Sequence, residues 1–286
     1  MKIQIIQVPY DCGYKDIRQG LAPEYFLRNN LVQMLEADGH QAKVARIDAK
    51  SKFTLEVGTA FELNRLLSRE VGSAVSGSVF PLVLAGNCNS CLGSIAGINP
   101  DQLGIVWFDA HGEFNTPETT QSGFLDGMPL ATATGRCWKE LAKTIPGFAP
   151  VRESNVILVG ARDLDDEEQR QLAQSDIKLI RSDGLADSAI LQSIASALLS
   201  LRDCVTGIYL HIDMDAFEIG EGAANHYGAT GGLSVKVIED AIALVKNNFE
   251  IKSATIASFD PACDTRGKFL DAGLRCVRAL VSGFKN

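Results

Sequence analysis

Two short acidic segments and one cysteine turn carry most of the reactive side chains of this chain. Asp109-Ala110-His111-Gly112-Glu113 offers three potential metal ligands at alternate positions, and Asp213-Met214-Asp215 offers two more. Residues two apart on an extended chain project to the same side, so these carboxylates and the His111 imidazole can converge on divalent cations that favour oxygen donors. Buried without a cation, such carboxylates would repel one another and be pushed toward their protonated forms. The pattern points to a two-metal hydrolytic centre. Gly86-Asn87-Cys88 lies upstream of both acidic segments.

The elements that must position these residues are strands. Ile105-Val106-Trp107-Phe108 precedes the first acidic segment, and Gly207-Ile208-Tyr209-Leu210 precedes the second, with His211 inside the same run. Each acidic segment therefore sits at the carboxyl end of a strand, where open α/β sheets build their sites. Apolar, β-branched runs recur over residues 3–8, 42–47, 81–85, 104–108, 155–159, 177–180, 206–212 and 254–258. Helical periodicity fills residues 23–37, 61–73, 165–174, 187–201, 235–247 and 269–282, with apolar residues returning every three or four positions. Strand followed by helix, repeated in this way, predicts a parallel sheet covered on both faces. Eight repeats also match a closed barrel. The seventeen residues 112–128, rich in Thr, Gly, Ser and Pro, start at the first acidic motif. Loops of that length within compact domains are usually functional.

At 286 residues and 46% hydrophobic content the chain can bury a large core, and with no linker-like tract it reads as a single α/β domain over 1–286. Lysine and arginine number 27 against 35 acidic residues, a net charge of −8. That balance argues against nucleic acid and anionic membranes as partners and for a small-molecule substrate. The N-terminus reads as a strand, no apolar run is long enough to span a bilayer, and a cytoplasmic location is expected. Seven scattered cysteines do not form a disulfide framework.

The segment Asp109-Ala110-His111-Gly112-Glu113-Phe114-Asn115-Thr116-Pro117, continuing into Ser122-Gly123 and Gly127-Met128-Pro129, resembles the metal-binding signature and substrate loop of the arginase, or ureohydrolase, family. Asp213-Met214-Asp215 and Gly231-Gly232-Leu233 resemble its later motif, Ala85-Gly86-Asn87-Cys88 lies where the family has Gly-Gly-Asp-His, and Arg162-Asp163-Leu164-Asp165 resembles a further pocket segment. The resemblance covers roughly residues 80–260, in order. It implies a three-layer fold with an eight-stranded parallel sheet between helices, and two manganese ions. Carried over, it makes Asp109 and Asp213 bridging ligands, gives Cys88 and Glu113 to one ion, and gives His111 and Asp215 to the other. The implied reaction is hydrolysis of a guanidino C–N bond, with release of urea or hydroxyurea. Asn115, Thr120 and Ser122 match positions that hold an amino acid's α-carboxylate, and Asp165 matches one that reads its α-amino group. The family also implies a homo-oligomer.

Five residues depart from the family pattern: Glu113 replaces a shorter aspartate and can still ligate through an adjusted loop, Phe124 replaces a polar loop residue, and three others bear on the chemistry. Cys88 replaces a histidine ligand, and a thiolate is too soft to favour manganese, so that side is expected to bind metal weakly. Asp126 stands where the family has a pocket histidine that shuttles protons. It could move protons if burial raised its pKa, or bind a cationic part of the substrate. Ser258 stands where arginases carry a glutamate that pairs with the guanidinium. Without that charge, a less basic N-hydroxyguanidine is favoured over arginine, as in N-hydroxyarginine amidinohydrolases. Two other readings stand beside the hydrolase: a non-catalytic family member, and a thiol redox enzyme built on Cys88-Asn89-Ser90-Cys91. His226, in Ala224-Asn225-His226-Tyr227, lies on a Gly-rich segment between Asp215 and Gly231 that can border the pocket, but as a lone histidine it is left out of the catalytic set; His40, with no motif around it, is left out as well.

Overall fold

The computed structural model describes residues 1–51, 55–98, 102–220 and 222–283. In chain order its strands are β1 (Lys2–Val8), β2 (Tyr10–Asp11), β3 (Tyr14–Lys15), β4 (Gln41–Arg46), β5 (Phe80–Ala85), β6 (Leu103–Phe108), β7 (Val156–Val159), β8 (Lys178–Ile180), β9 (Gly207–Asp213) and β10 (Glu250–Ala257). Among the described residues β2 and β3 pair as a short antiparallel ribbon. The other eight form one sheet in the order β4-β1-β5-β10-β9-β6-β7-β8, and every pairing in it is parallel. The sheet is open, with β4 and β8 at its edges, and this rules out the barrel.

The apolar runs form strands because both of their faces are covered. β5, β6, β7 and β9 are buried along their whole length, as expected of central parallel strands. Alternate residues feed two cores: Val106 and Phe108 face one, Ile105 and Trp107 the other. Helices α1 (Ala22–Arg28), α2 (Leu31–Ala37), α8 (Asp187–Leu201), α9 (Val235–Asn248) and α10 (Lys268–Val281) cover the first. The second lies under α3 (Glu56–Ser76), α4 (Cys91–Ile98), α5 (Pro129–Ala133), α6 (Lys139–Ala142) and α7 (Asp166–Ala173). This is the three-layer α/β architecture expected from the sequence.

Two expectations need correction. The single helix expected over residues 23–37 is broken into α1 and α2, because Asn30 adopts a left-handed conformation with φ 66°, a backbone state that asparagine tolerates better than most residues. The helix expected over residues 61–73 is longer at both ends.

The packing of α4 on α3 fixes the turn that carries Cys88. A Cβ added at Gly97 would stand 2.6 Å from the Val71 Cβ and 2.7 Å from the Ser68 carbonyl, so glycine lets the two helices approach. The Gly97→Ala variant is expected to lose about 1–3 kcal/mol through overpacking. Its chemical denaturation midpoint should fall, while that of Gly58→Ala, inside α3 with only the Leu55 Cβ at 3.8 Å, should hold or rise, since alanine is the better helix former.

Candidate metal centre

Neighbouring central strands deliver the reactive residues to the carboxyl end of the sheet. In sheet order, Gly86-Asn87-Cys88 follows β5, Ser258 follows β10, Asp213-Met214-Asp215 closes β9, Asp109 to Glu113 follows β6, and Arg162 to Asp165 follows β7. Gly86 is required where it stands, because a Cβ there would lie 2.1 Å from the Tyr10 carbonyl oxygen. Arg162 does not enter the pocket. Its guanidinium donates to the carbonyls of Gly160, Asp215, Phe217, Ala229 and Thr230 at 2.7–3.4 Å, pinning the loops beside Asp215.

The carboxylates of Asp109, Glu113, Asp213 and Asp215 are all buried. Asp109 Oδ2 accepts from Trp107 Nε1 at 2.8 Å and its Oδ1 from the His111 amide at 2.8 Å. Asp213 Oδ1 accepts from the Asp215 amide at 2.8 Å, and Asp215 accepts from the Ala110 amide and from Asn225 Nδ2. His111 Nδ1 lies 3.3 Å from Asp109 Oδ1 and 3.5 Å from Asp215 Oδ2. Among the described residues no lysine or arginine is ion-paired with these four groups. Burial, reinforced by the Asp215 charge, raises the Asp109 pKa. Burial and neighbouring carboxylates push Glu113 and Asp213 well above the usual range. Burial alone would depress His111, but the Asp215 and Asp109 carboxylates outweigh it and raise its pKa to about 10. Burial also works against the Asp215 carboxylate, yet His111 and the hydrogen bonds hold its pKa below the ordinary value.

Glu113 Oε2 is buried with no hydrogen-bond partner. The backbone of Glu113 is left-handed (φ 55°), as is that of Ser258 (φ 62°), a cost on the order of 1–3 kcal/mol for a non-glycine residue. Ligand atoms of Asp109, His111 and Glu113 lie within 4.8 Å of one another, as do those of Cys88, Asp109 and Asp213. The two triads share Asp109, and Asp215 joins through His111, so the six expected ligands form one connected cluster: five offer oxygen or imidazole nitrogen, and Cys88 alone offers sulfur. The orphaned Glu113 oxygen and the mutual repulsion of the carboxylates fit a divalent cation that binds oxygen.

Cys88 Sγ donates to Asp213 Oδ2 at 2.9 Å and contacts Ser258 Oγ at 3.2 Å and His211 Nε2 at 3.1 Å. His211 stacks on Trp107, ring centroids 3.7 Å apart, and its Nδ1 meets the Tyr209 hydroxyl at 2.8 Å. Both Cys88 and Cys91 are buried free thiols, and burial raises both well above the ordinary thiol pKa. A redox thiol pair needs the opposite, a depressed pKa and access.

Above the carboxylates lies a pocket of about 210 Å³. His111, Glu113, Asp213 and Asp215 reach it from below, and Asn115, Asp126, Asp165 and Ser258 line its walls. Asn115 Nδ2 donates to Asp165 Oδ2 at 3.2 Å. Thr120 and Ser122 are not among the lining residues; their hydroxyls accept from the amides of Gly123 and Phe124 and close a turn in the loop. Asp126 is committed to the cysteine turn, accepting from Asn87 Nδ2 (2.8 Å) and from the amides of Cys88 (3.0 Å) and Asn89 (2.7 Å). Burial raises its pKa to about 7 against the pull of those bonds. Asp163, from the segment that resembles a family pocket segment, also lines the pocket, as do Gln19, Glu168, Asn225 and Tyr227, which the sequence did not single out as site residues. Glu168 carried a signal: it follows Asp165 by three positions at the start of α7, and so shares its face. Gln19, distant in sequence and without a motif, carried none.

The model of the Arginase family matches residues 1–282. The chain belongs to the arginase family. The curated arginase of Bacillus subtilis is 27% identical over 289 residues, covering 98% of this chain and 97% of that one. The crystal structure of arginase from Bacillus subtilis superposes with a TM-score of 0.87 at 26% identity and 99% coverage of both chains. The native arginase from Bacillus caldovelox gives 0.87 at 25% identity, covering 98% of each chain. The formimidoylglutamase of Bacillus subtilis, at 17% identity, with a TM-score of 0.75 and 98% of this chain and 86% of that one covered, shares the fold. Among the described residues no helix is long and apolar enough to cross a membrane.

The three bonds to Asp126 generate a test. In Asp126→Asn an amide donor replaces an acceptor that faces buried N–H groups, and one unsatisfied buried group costs about 1–3 kcal/mol. The denaturation midpoint of the metal-free variant should fall accordingly. An unchanged midpoint would mean that Asp126 does not hold the turn.

Proposed function

We propose that this arginase-family protein is a manganese-dependent amidinohydrolase that cleaves a guanidino C–N bond, with an N-hydroxyarginine-like substrate preferred over arginine. One observation carries the reading: buried carboxylates meet at one point beneath an acidic pocket, with the Glu113 Oε2 atom left unpartnered. Asp109 and Asp213 are assigned as shared ligands, His111 and Asp215 to the firmer ion, and Glu113 and Cys88 to the weaker one. Paired divalent cations supply Lewis acidity and make water nucleophilic near neutral pH. The cytoplasm is the compartment that suits free thiols such as these.

The protein's own residues bind and orient the substrate. Among the described residues no lysine or arginine lines the pocket, so a cationic or hydrogen-bond-donating group is favoured over an anion. Asn115 and Asp165, already bonded to each other, present an acceptor and a donor to an amino-acid end. Thr120 and Ser122 hold the loop that carries Asn115 and Phe124. Ser258, buried beside Cys88, offers a hydroxyl where a substrate N-hydroxyl needs a partner and supplies no counter-charge for a full guanidinium. Asp126 holds the cysteine turn at the pocket wall through three accepted bonds, and the one lone pair left to it is assigned as a proton acceptor.

A manganese-supplemented panel of guanidino compounds, assayed for urea and hydroxyurea, tests the proposal. Release of hydroxyurea from N-hydroxyarginine should exceed release of urea from arginine by at least about tenfold in kcat/KM, the scale on which a missing or added polar partner discriminates. Silence across the panel, together with less than one manganese bound per chain, would overturn the assignment.

The Cys88 side generates a second test. Asp213, Ser258 and His211 all lie within 3.2 Å of the Cys88 sulfur, so a histidine placed there alone would overfill the site at a cost of about 1–3 kcal/mol. Cys88→His combined with His211→Ser is expected to tighten the weaker manganese site, read by titration of free manganese by electron paramagnetic resonance. Unchanged affinity in the double variant would show that Cys88 is not a ligand position.

A further inference from the structure

Outside the pocket, a second group of metal-ligating side chains belongs to none of the machinery assigned above. His226, Asp260 and Cys263 place one ligand atom each within 4.8 Å of the other two. We propose that these three residues form a separate divalent-cation site of the zinc class, which ties together the two loops that follow β9 and β10. The proposal is independent of the amidinohydrolase reading, since it shares no ligand with the buried carboxylates.

The local backbone already has the form of a chelating turn. In Asp260-Pro261-Ala262-Cys263 the Cys263 amide donates to the Asp260 carbonyl at 3.0 Å, and the Ala262 amide donates to Asp260 Oδ1 at 3.0 Å. The turn brings a carboxylate and a thiol three positions apart to one side, and the amide bond to Oδ1 fixes the carboxylate from behind, as supporting hydrogen bonds do in metal sites. His226 arrives from the opposite loop. Two hydrogen bonds hold that loop in register: the Asp260 amide to the Ala224 carbonyl at 2.7 Å, and Asn225 Nδ2 to the Ser258 carbonyl at 2.8 Å.

Spacing and donor chemistry select the cation. Cys263 Sγ and His226 Nε2 are 3.6 Å apart. Zinc–sulfur and zinc–nitrogen bonds of ~2.3 and ~2.0–2.1 Å at a tetrahedral angle separate the two donors by about 3.5 Å. Sulfur, imidazole and carboxylate together suit zinc better than manganese, calcium or magnesium. Asp260 is buried, Cys263 half-buried and His226 exposed, so the cation enters from solvent and water completes its coordination. The same loops bring Asn225, Tyr227 and Ser258 to the pocket, so a cation here stiffens one pocket wall without touching the substrate.

Cysteine protection tests the site directly. The full chain, stripped with chelator, is pulsed with iodoacetamide with and without zinc, and labelling at each cysteine is followed by peptide mass mapping. At a zinc concentration about ten times the dissociation constant, labelling of Cys263 should slow about tenfold, while exposed Cys204 should label equally in both. His226→Ala should abolish the protection at Cys263, and Cys88→Ser should preserve it, which separates this site from the buried centre. Cys263→Ser should bind one zinc fewer than the parent chain by metal analysis. Equal labelling of Cys263 with and without zinc, full protection in His226→Ala, or unchanged zinc stoichiometry in Cys263→Ser would each overturn the proposal.

Discussion

Buried negative charge organises this molecule. Four carboxylates stand at the carboxyl ends of central strands with one imidazole between them, in surroundings where desolvation penalises every ionised group. Much of the local architecture serves to hold them there. Backbone amides of His111, Ala110 and Asp215 and the Trp107 indole supply hydrogen bonds, and Arg162 secures the surrounding loops through carbonyl oxygens, leaving the carboxylates free. An arginine paired directly with them would neutralise the charge that a cation needs.

The strand ends differ in what they contribute. β6 and β9 provide the hard donors. β5 and β10 provide Cys88 and Ser258, which touch each other, Cys88 also meeting His211, and neither presents a charge. The centre is thus electrostatically asymmetric across the sheet. Strain accompanies it: Glu113 and Ser258, on opposite sides of the cluster, both hold left-handed backbone conformations, as expected where surrounding structure overrides local preference.

The central strands could be read from the sequence because they are buried on both faces and their composition is nearly unbroken. The acidic motifs could be read because period-two spacing at a strand end leaves few alternatives. What escaped was governed by contacts distant in sequence. Asn30 breaks a helix whose apolar periodicity runs straight through it. α4 opens at the Cys88-to-Cys91 turn, where a helix start is expected, but it is apolar on nearly every side, so no polar face betrays its period or its extent. The threefold bonding of Asp126 depends on a turn 37 to 39 residues earlier. His226 looked solitary because Asp260 and Cys263 meet it only once two loops are folded against each other.

The stack of Trp107 on His211 has an optical consequence. The chain has two tryptophans, and the indole of Trp107 both lies flat against an imidazole and donates to Asp109. Its excited state is therefore coupled to the charge at the heart of the cluster, while Trp138 donates to the Met128 sulfur elsewhere. The protein thus carries its own fluorophore bonded to the cluster, and its emission is set by the charge on Asp109 without any added label.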